Sequence, residues 1–187
     1  MPENKVQFGL KSVYYAVLTP AATPSGVPTY STPVALPGAV TLTLDPVGEV
    51  SPFYADNITY YTSVANNGYS GDLEIAMISD AMLADVWGIE ADDAGVIVEN
   101  SNTQPKSFAL LYQIDGDQNN RLYCLYNCSA TRPGIGSTTI TETKEPQTQS
   151  VSITASALAD GRVLARTTES TDSSTVSGWF TSVYTGA

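Results

Sequence analysis

The sequence of 187 residues contains no histidine and only eight lysines and arginines. Without histidine there is no imidazole to serve as a general base, to activate a serine or cysteine nucleophile, or to bind a metal. The shortage of bases also argues against a protein that binds nucleic acid or anionic lipid, because that affinity depends on clustered lysine and arginine. These absences exclude histidine-dependent catalysis, and we predict that the chain is not an enzyme and has no catalytic residue, cofactor or metal.

Cysteines and long apolar runs are equally scarce. The two cysteines, Cys124 and Cys128, lie in a strand-like segment, where four residues span about 13 Å. A disulfide needs Cα atoms within about 7 Å, so we expect two buried free thiols. No apolar run approaches the ~18 residues of a membrane span, and Val13–Leu18 is too short for the apolar part of a signal peptide. We expect no membrane span and synthesis in a cytoplasm.

The acidic residues are unevenly distributed along the chain. The net charge is 8 − 19 = −11, and no base lies between Lys11 and Lys106. The remaining 19 − 11 = 8 acids balance the eight bases, so residues 12–105 carry the whole net charge. The eleven acids of this region are Asp45, Glu49, Asp56, Asp72, Glu74, Asp80, Asp85, Glu90, Asp92, Asp93 and Glu99.

Apolar and polar residues alternate with a period of two in four segments, which is typical of strands with one buried face. These segments are residues 40–44, 72–77, 107–114 and 150–156. The abundance of Ser, Thr, Tyr and Val favours strands elsewhere too. The sequence therefore predicts a mainly β protein with a single domain over residues 1–187.

One short α-helix is expected beside the strands. Ser79 can cap its N-terminus, Leu83, Val86 and Trp87 form an apolar stripe, and Gly88 can end it. Residues 176–184 are compatible with either a second helix or a strand that docks on the sheet. We therefore predict one helix from this sequence and leave the C-terminal segment open.

Two regions are predicted to be rich in loops, Thr19–Pro33 and a long loop over residues 45–71. Within the second, Pro52–Tyr61 is dominated by aromatic and apolar side chains. If exposed, it would form an apolar patch of the kind that marks an interaction surface. If it packs against the strands, it is simply part of the core. The residues alone leave both readings open.

An ordered set of short motifs along nearly the whole chain resembles phage major tail proteins of the phi13 type, from long-tailed, non-contractile phages of Gram-positive hosts. No single motif is specific, but their order is. The matching segments are Lys5–Ala16, Pro37–Val40, Ser51–Asn57, Gly68–Glu74, Asp115–Asp117, Leu125–Cys128, Ala130–Pro133, Trp179–Phe180 and Val183–Tyr184.

The resemblance implies a β-sandwich or barrel of the tail tube type, with an N-terminal arm over residues 1–9 and the long loop over 45–71. Such subunits form hexameric rings that stack into a hollow tube, through which DNA passes without specific binding. The implied partners are other copies of the chain, a tape-measure protein, and the tail terminator and distal tail proteins. The implied location is the virion, with assembly in the bacterial cytoplasm. The chain ends soon after its last motif, so we expect no appended immunoglobulin-like domain.

Two groups of residues are candidates for roles in such a tube. The candidate ring-to-ring contacts are Pro52, Phe53, Tyr54, Tyr60 and Tyr61, and the candidate lumen acids are Asp45, Glu49, Asp56, Asp72 and Glu74. A wall of carboxylates would repel the DNA backbone, whereas lysine or arginine would offer phosphate contacts. The alternative is that these acids only keep the protein soluble.

Three other functions remain open at this point. Eleven tyrosines and two tryptophans on a β-sandwich could form a carbohydrate-binding or host-attachment module. Two of the nineteen carboxylates could serve a hydrolase, although no local pattern marks such a pair. The nearest structural alternative is the tube protein of a contractile injection system.

Overall fold

The computed structural model describes residues 7–21, 26–116, 121–139 and 146–186. The strands are β1 (Leu10–Thr19), β2 (Thr29–Tyr30), β3 (Val34–Ala35), β4 (Ala39–Pro46), β5 (Val50–Ala55), β6 (Ile58–Val64), β7 (Tyr69–Ile75), β8 (Phe108–Ile114), β9 (Leu122–Ala130), β10 (Gln149–Ala155) and β11 (Leu164–Arg166). The helices are α1 (Asp80–Trp87) and α2 (Ser173–Gly178). A mainly β fold is therefore confirmed.

Nine of the strands form one antiparallel sheet in the order β2-β1-β8-β9-β10-β7-β4, with β3 also paired to β1 and β11 to β9. Strands β5 and β6 pair only with each other among the described residues. The four segments with period-two alternation correspond to β4, β7, β8 and β10.

The main hydrophobic core lies between the two halves of this sheet, which coils so that β1, β8 and β9 face β10, β7 and β4. Tyr15, Phe108, Leu73 and Ile153 meet there, and Trp87 of α1 joins them. All five are essentially inaccessible to solvent. Burying each such side chain stabilises the fold by about 1.5–3 kcal/mol, so this layer holds the two halves of the sheet together.

Strand β8 is buried on both faces, so the single buried face expected for residues 107–114 is wrong. Phe108 and Leu110 point into the main core, whereas Ala109 and Leu111 point into a second core on the other side of the sheet. Trp179 and Val183, from the C-terminal segment, cover that second core. β8 therefore lies at the centre of the molecule.

Helix α1 closes one end of the main core, with the bounds expected from its caps. The Ser79 hydroxyl accepts a hydrogen bond from the Met82 amide at 3.3 Å, and Gly88 ends the helix at φ 63°. The buried indole Nε1 of Trp87 donates to the carbonyl of Ala130 at 3.2 Å. This bond joins the helix to the end of β9.

The expectation of a single helix is wrong, because α2 is a second short helix. It precedes Trp179, whose Nε1 donates to the Tyr123 carbonyl at 3.3 Å, and Phe180 stacks on Tyr14 at 4.7 Å. The C-terminal segment is thus neither a docking strand nor a helix over all of 176–184.

No helix in the described part of the chain is long and apolar enough to cross a membrane.

The two cysteines are buried in β9 and free, as predicted. Burial raises the pKa of Cys124 to about 12 and also raises that of Cys128. Because the thiolate is the reactive form, burial and a raised pKa disfavour reaction of both thiols at neutral pH in the folded chain.

The expectation of a long loop over residues 45–71 is wrong. β4 extends to Pro46, β7 begins at Tyr69, and β5 and β6 form a hairpin between them. Of the predicted N-terminal arm, residues 1–6 lie outside the described residues. The Phe8 amide donates to the Asp115 carbonyl at 3.1 Å, so residues 7–9 extend the pairing of β1 with β8.

Replacing Tyr15 with phenylalanine is expected to lower the free energy of unfolding by about 1.5–3 kcal/mol, the range for a hydrogen bond to a charged group. The Tyr15 hydroxyl donates to Asp85 Oδ2 at 2.7 Å and so ties β1 to α1. Tyr14→Phe is the matched control, since Tyr14 lies on the opposite face of β1 and packs through its ring. Urea denaturation measures the free energy of unfolding of both variants. Equal losses of stability would contradict the role of the Tyr15–Asp85 bond.

Candidate assembly surfaces

Residues 47–67, which we call the arm, extend the β4–β7 pair beyond the core. The Val47 amide donates to the Gly68 carbonyl and the Asn67 amide to the Val47 carbonyl, each at 2.8 Å, and Ala65 donates to Glu49 at 3.0 Å. These bonds connect the ladder of β4 and β7 to that of β5 and β6. No residue of the arm belongs to either hydrophobic core.

The tip of the arm is a two-residue turn with a β-bulge beside it. Asp56 and Asn57 have φ values of 51° and 65°, the left-handed geometry that type I′ hairpin turns require. Ala55 pairs with Ile58 across the turn, and the register then shifts between Thr59 and Tyr61. Tyr60 is therefore the extra residue of the bulge.

The arm exposes its large apolar side chains to solvent. Seven of them are each 61–73% exposed: Val50, Phe53, Tyr54, Ile58, Tyr60, Tyr61 and Val64. All five predicted ring-to-ring residues, Pro52 included, lie on the arm, and none packs on the core. A two-stranded hairpin is marginally stable alone, so an exposed apolar one is suited to burial against a partner.

The arm also lacks the charges that usually protect exposed strands. Proteins keep such edges from pairing with other chains by placing charged residues on them, lysine above all. Residues 47–67 contain no Lys or Arg, and Glu49 and Asp56 are their only acids. Both acids lie outside the paired stretch of the two strands, which is therefore uncharged throughout.

Glycines fix the arm where it leaves the core. Gly68 is buried at φ +101°, and a Cβ atom there would lie 1.9 Å from the Ala155 carbonyl oxygen. At Gly71, a Cβ would lie 1.8 Å from the Thr43 carbonyl oxygen. Because any larger residue would collide with backbone at both positions, β7 can lie this close to its neighbours only with glycine there.

Further exposed apolar side chains occur away from the arm, on more than one segment of the chain. β4 and β7 pair from Ala39 and Ile75 at one end to Pro46 and Tyr69 at the other, where the arm begins. We call the group at the first end, which is also the end closed by α1, the helix-end patch. It comprises Val40 and Met77 beside those strand ends and Val96, Ile97 and Val98 in the segment joining α1 to β8, all of them 41–73% exposed.

Three of the candidate lumen acids lie together on the outer side of β4, β7 and β10, which we call the acid face. Asp45 pairs with Ser70, Asp72 lies opposite Ser152, and Glu74 opposite Ser150. The alternate residues of these strands point into the main core. No Lys or Arg occurs on the three strands, so the acid face presents only carboxylates and hydroxyls.

Hydroxyl groups hold two of these carboxylates. The Ser152 hydroxyl donates to Asp72 Oδ1 at 2.6 Å, and the Thr148 hydroxyl donates to Glu74 Oε1. These hydrogen bonds orient the two carboxylates along the sheet. The remaining two candidates lie elsewhere, Glu49 at the root of the arm and Asp56 in its turn, so the structure brings together three of the five.

The lateral edge of the sheet is open. Within the described residues no strand pairs with the outer edge of β4. A cavity of about 360 Å³ lies between β4 and the start of β1, and Leu10, Leu42, Leu44 and Ile114 are among its lining residues. Unpaired backbone groups beside a partly covered apolar cavity form an edge that another strand can complete.

Some residues of these surfaces were not among the sequence candidates. Val50, Ile58 and Val64 on the arm and the whole helix-end patch were missed. For the arm residues, the Asp56-Asn57 pair between two apolar runs is the available signal, since it is typical of a tight hairpin turn. The helix-end patch is assembled from distant segments and has no such signal.

Comparison with known proteins does not assign this chain to a family. No protein-family model matches it, and a search of curated proteins finds no significant match.

Proposed function

We propose that this protein is a structural subunit that assembles with copies of itself into a hollow tube, of the phage major tail protein type that its motifs resemble. The observation that carries the proposal is the arm, a protruding hairpin with exposed aromatic residues and an uncharged paired stretch. Exposed apolar patches of this kind mark interaction surfaces, and an uncharged one is suited to a permanent contact.

The distribution of the other surfaces supports head-to-tail assembly. The arm and the helix-end patch are at opposite ends of the β4–β7 pair, so each copy can donate one and accept the other. The open edge of β4 offers a lateral contact within a ring. Contacts between two different surfaces of the same chain produce closed rings or continuing stacks, depending on the rotation between neighbours.

In this proposal the acid face lines the bore. Carboxylates and hydroxyls offer no cation to the DNA phosphates and therefore let DNA slide past. The field of the wall extends about 8–10 Å at moderate salt. The virion location, the hexameric ring and the tape-measure, terminator and distal tail partners belong to the same proposal.

A second candidate is a carbohydrate-binding module of a virion. The exposed rings of Tyr54, Tyr60 and Tyr61 favour it, because aromatic rings at a surface can stack on sugars. Such a module would remain a monomer or small oligomer and would bind glycans. The first proposal requires instead that the chain polymerise without a ligand.

Negative-stain electron microscopy of the purified protein over a range of concentrations tests the proposal. We expect rings or hollow tubes, together with fast-sedimenting material in the ultracentrifuge. A protein that remains monomeric at high concentration and binds immobilised glycans would favour the carbohydrate-binding alternative and contradict the first proposal.

A further inference from the structure

The register of the arm divides its side chains between two faces. Cross-strand partners point to the same side of a sheet, and successive residues alternate between sides. Phe53 pairs with Tyr61 and Ala55 with Ile58, which defines the first face. Val50 pairs with Val64 on the second face, which Tyr54 shares. Both faces therefore carry large, exposed apolar side chains.

The two faces together supply the apolar area of a stable contact. A fully covered aromatic side chain buries about 150–250 Å². At about two-thirds exposure, three large side chains on one face therefore offer at most about 500 Å², and less on the second face, where two of the three are valines. A standard interface buries about 800 Å² from each partner, of which somewhat more than half is apolar, and both faces together provide that apolar area.

We propose that the arm is clamped between two adjacent copies of this chain in the next ring, so that each of its faces is covered by a different copy. This inference rests on the proposed function. The two faces point in opposite directions, so a single flat patch covers only one of them. Two neighbours in a ring present two copies of the helix-end patch, with a groove between them.

The helix-end patch is the surface that the chain itself offers for this contact. It lies at the end opposite the arm, and three of its exposed residues are consecutive, Val96–Val98. An ion pair of Glu99 with Arg132 connects this segment to the residues that follow β9. The ion pair fixes the position of this segment relative to β9.

Single cysteines on the two faces test the clamp. Thr62 and Ser63 are adjacent and exposed on β6; Ser63 pairs with Ser51 on the first face and Thr62 with Pro52 on the second. Thr62→Cys and Ser63→Cys remove no aromatic ring, and the native thiols are buried. The experiment compares maleimide labelling rates of free and sedimented protein at pH 7, with the wild-type chain as background.

We expect labelling at both positions to fall at least tenfold in the assemblies. Assemblies in which only one position is protected, or neither, would overturn the clamp and leave the proposed function intact. The absence of any assembly by the wild-type chain would overturn the proposed function and this inference with it. If a cysteine variant does not sediment alone, co-assembly with a tenfold excess of wild-type chain gives the same comparison.

Discussion

Replacing residues 51–63 with an Asn-Gly turn is expected to leave a folded monomer that forms no tubes. Val50 and Val64 are cross-strand partners, so a two-residue type I′ turn can join them directly. No arm residue contributes to either core, and the free energy of unfolding should therefore change by no more than about 1 kcal/mol. Electron microscopy and urea denaturation measure the two outcomes.

A pair of point substitutions separates the apolar side chains from the length of the arm. Phe53→Ser with Tyr54→Ser removes one aromatic ring from each face and keeps the hairpin. Losing the burial of two such rings costs about 3 kcal/mol or more, equivalent to a rise of at least about 100-fold in the concentration needed for assembly. Ser51→Ala with Ser63→Ala is the matched control on the same strands and should assemble normally.

Normal tubes from the chain in which an Asn-Gly turn replaces residues 51–63 would contradict the role of the arm in assembly.

Lysines on the acid face are expected to make assembled tubes retain DNA. Asp72→Lys with Glu74→Lys changes the charge of each subunit by +4 and gives every copy two cations for phosphate contacts. We expect at least tenfold more nuclease-resistant DNA to sediment with these tubes than with wild-type tubes at low salt. Retention should decrease steeply as salt is raised, because phosphate contacts release counterions.

A second lysine variant tests whether DNA retention depends on the acid face or only on the added charge. It carries the same +4 change at a different surface. Glu169→Lys with Asp172→Lys adds +4 to the exposed turn before α2, and DNA bound there should remain accessible to nuclease. Asp72→Asn with Glu74→Gln provides the neutral intermediate. Equal nuclease-resistant DNA in both lysine variants would show that the acid face does not line the bore, and that its carboxylates act as solubilising charge.

The parts of the fold that the sequence predicted correctly are those with local signals. Helix α1 has its cap at Ser79 and its stop at Gly88 within one short stretch, so its bounds follow from nearby residues. The alternation in β4, β7 and β10 likewise shows their buried face directly. Sheet order depends instead on contacts between distant segments, such as the pairing of β1 with β8, and no local pattern encodes it.

The arm was predicted as part of a long loop, although Pro46, Pro52 and Gly68 are compatible with the strands of this region. Proline is tolerated in strands that lie at an edge, and both strands of a two-stranded hairpin are edges. Gly68 is needed for close approach to Ala155, not for flexibility. The prediction of five lumen acids failed to separate two groups for the same reason. Glu49 and Asp56 belong to the arm, and only Asp45 joins Asp72 and Glu74 through the β4–β7 register.

The continuity of the arm with β4 and β7 has a mechanical consequence. Inter-strand hydrogen bonds in an antiparallel pair lie perpendicular to the strands. A pull along the arm therefore loads the whole ladder in shear, and many bonds must break together. A sideways pull at the tip opens them one at a time. An arm anchored in this way resists axial tension while yielding to lateral bending, which is the behaviour of a flexible joint that does not come apart when stretched.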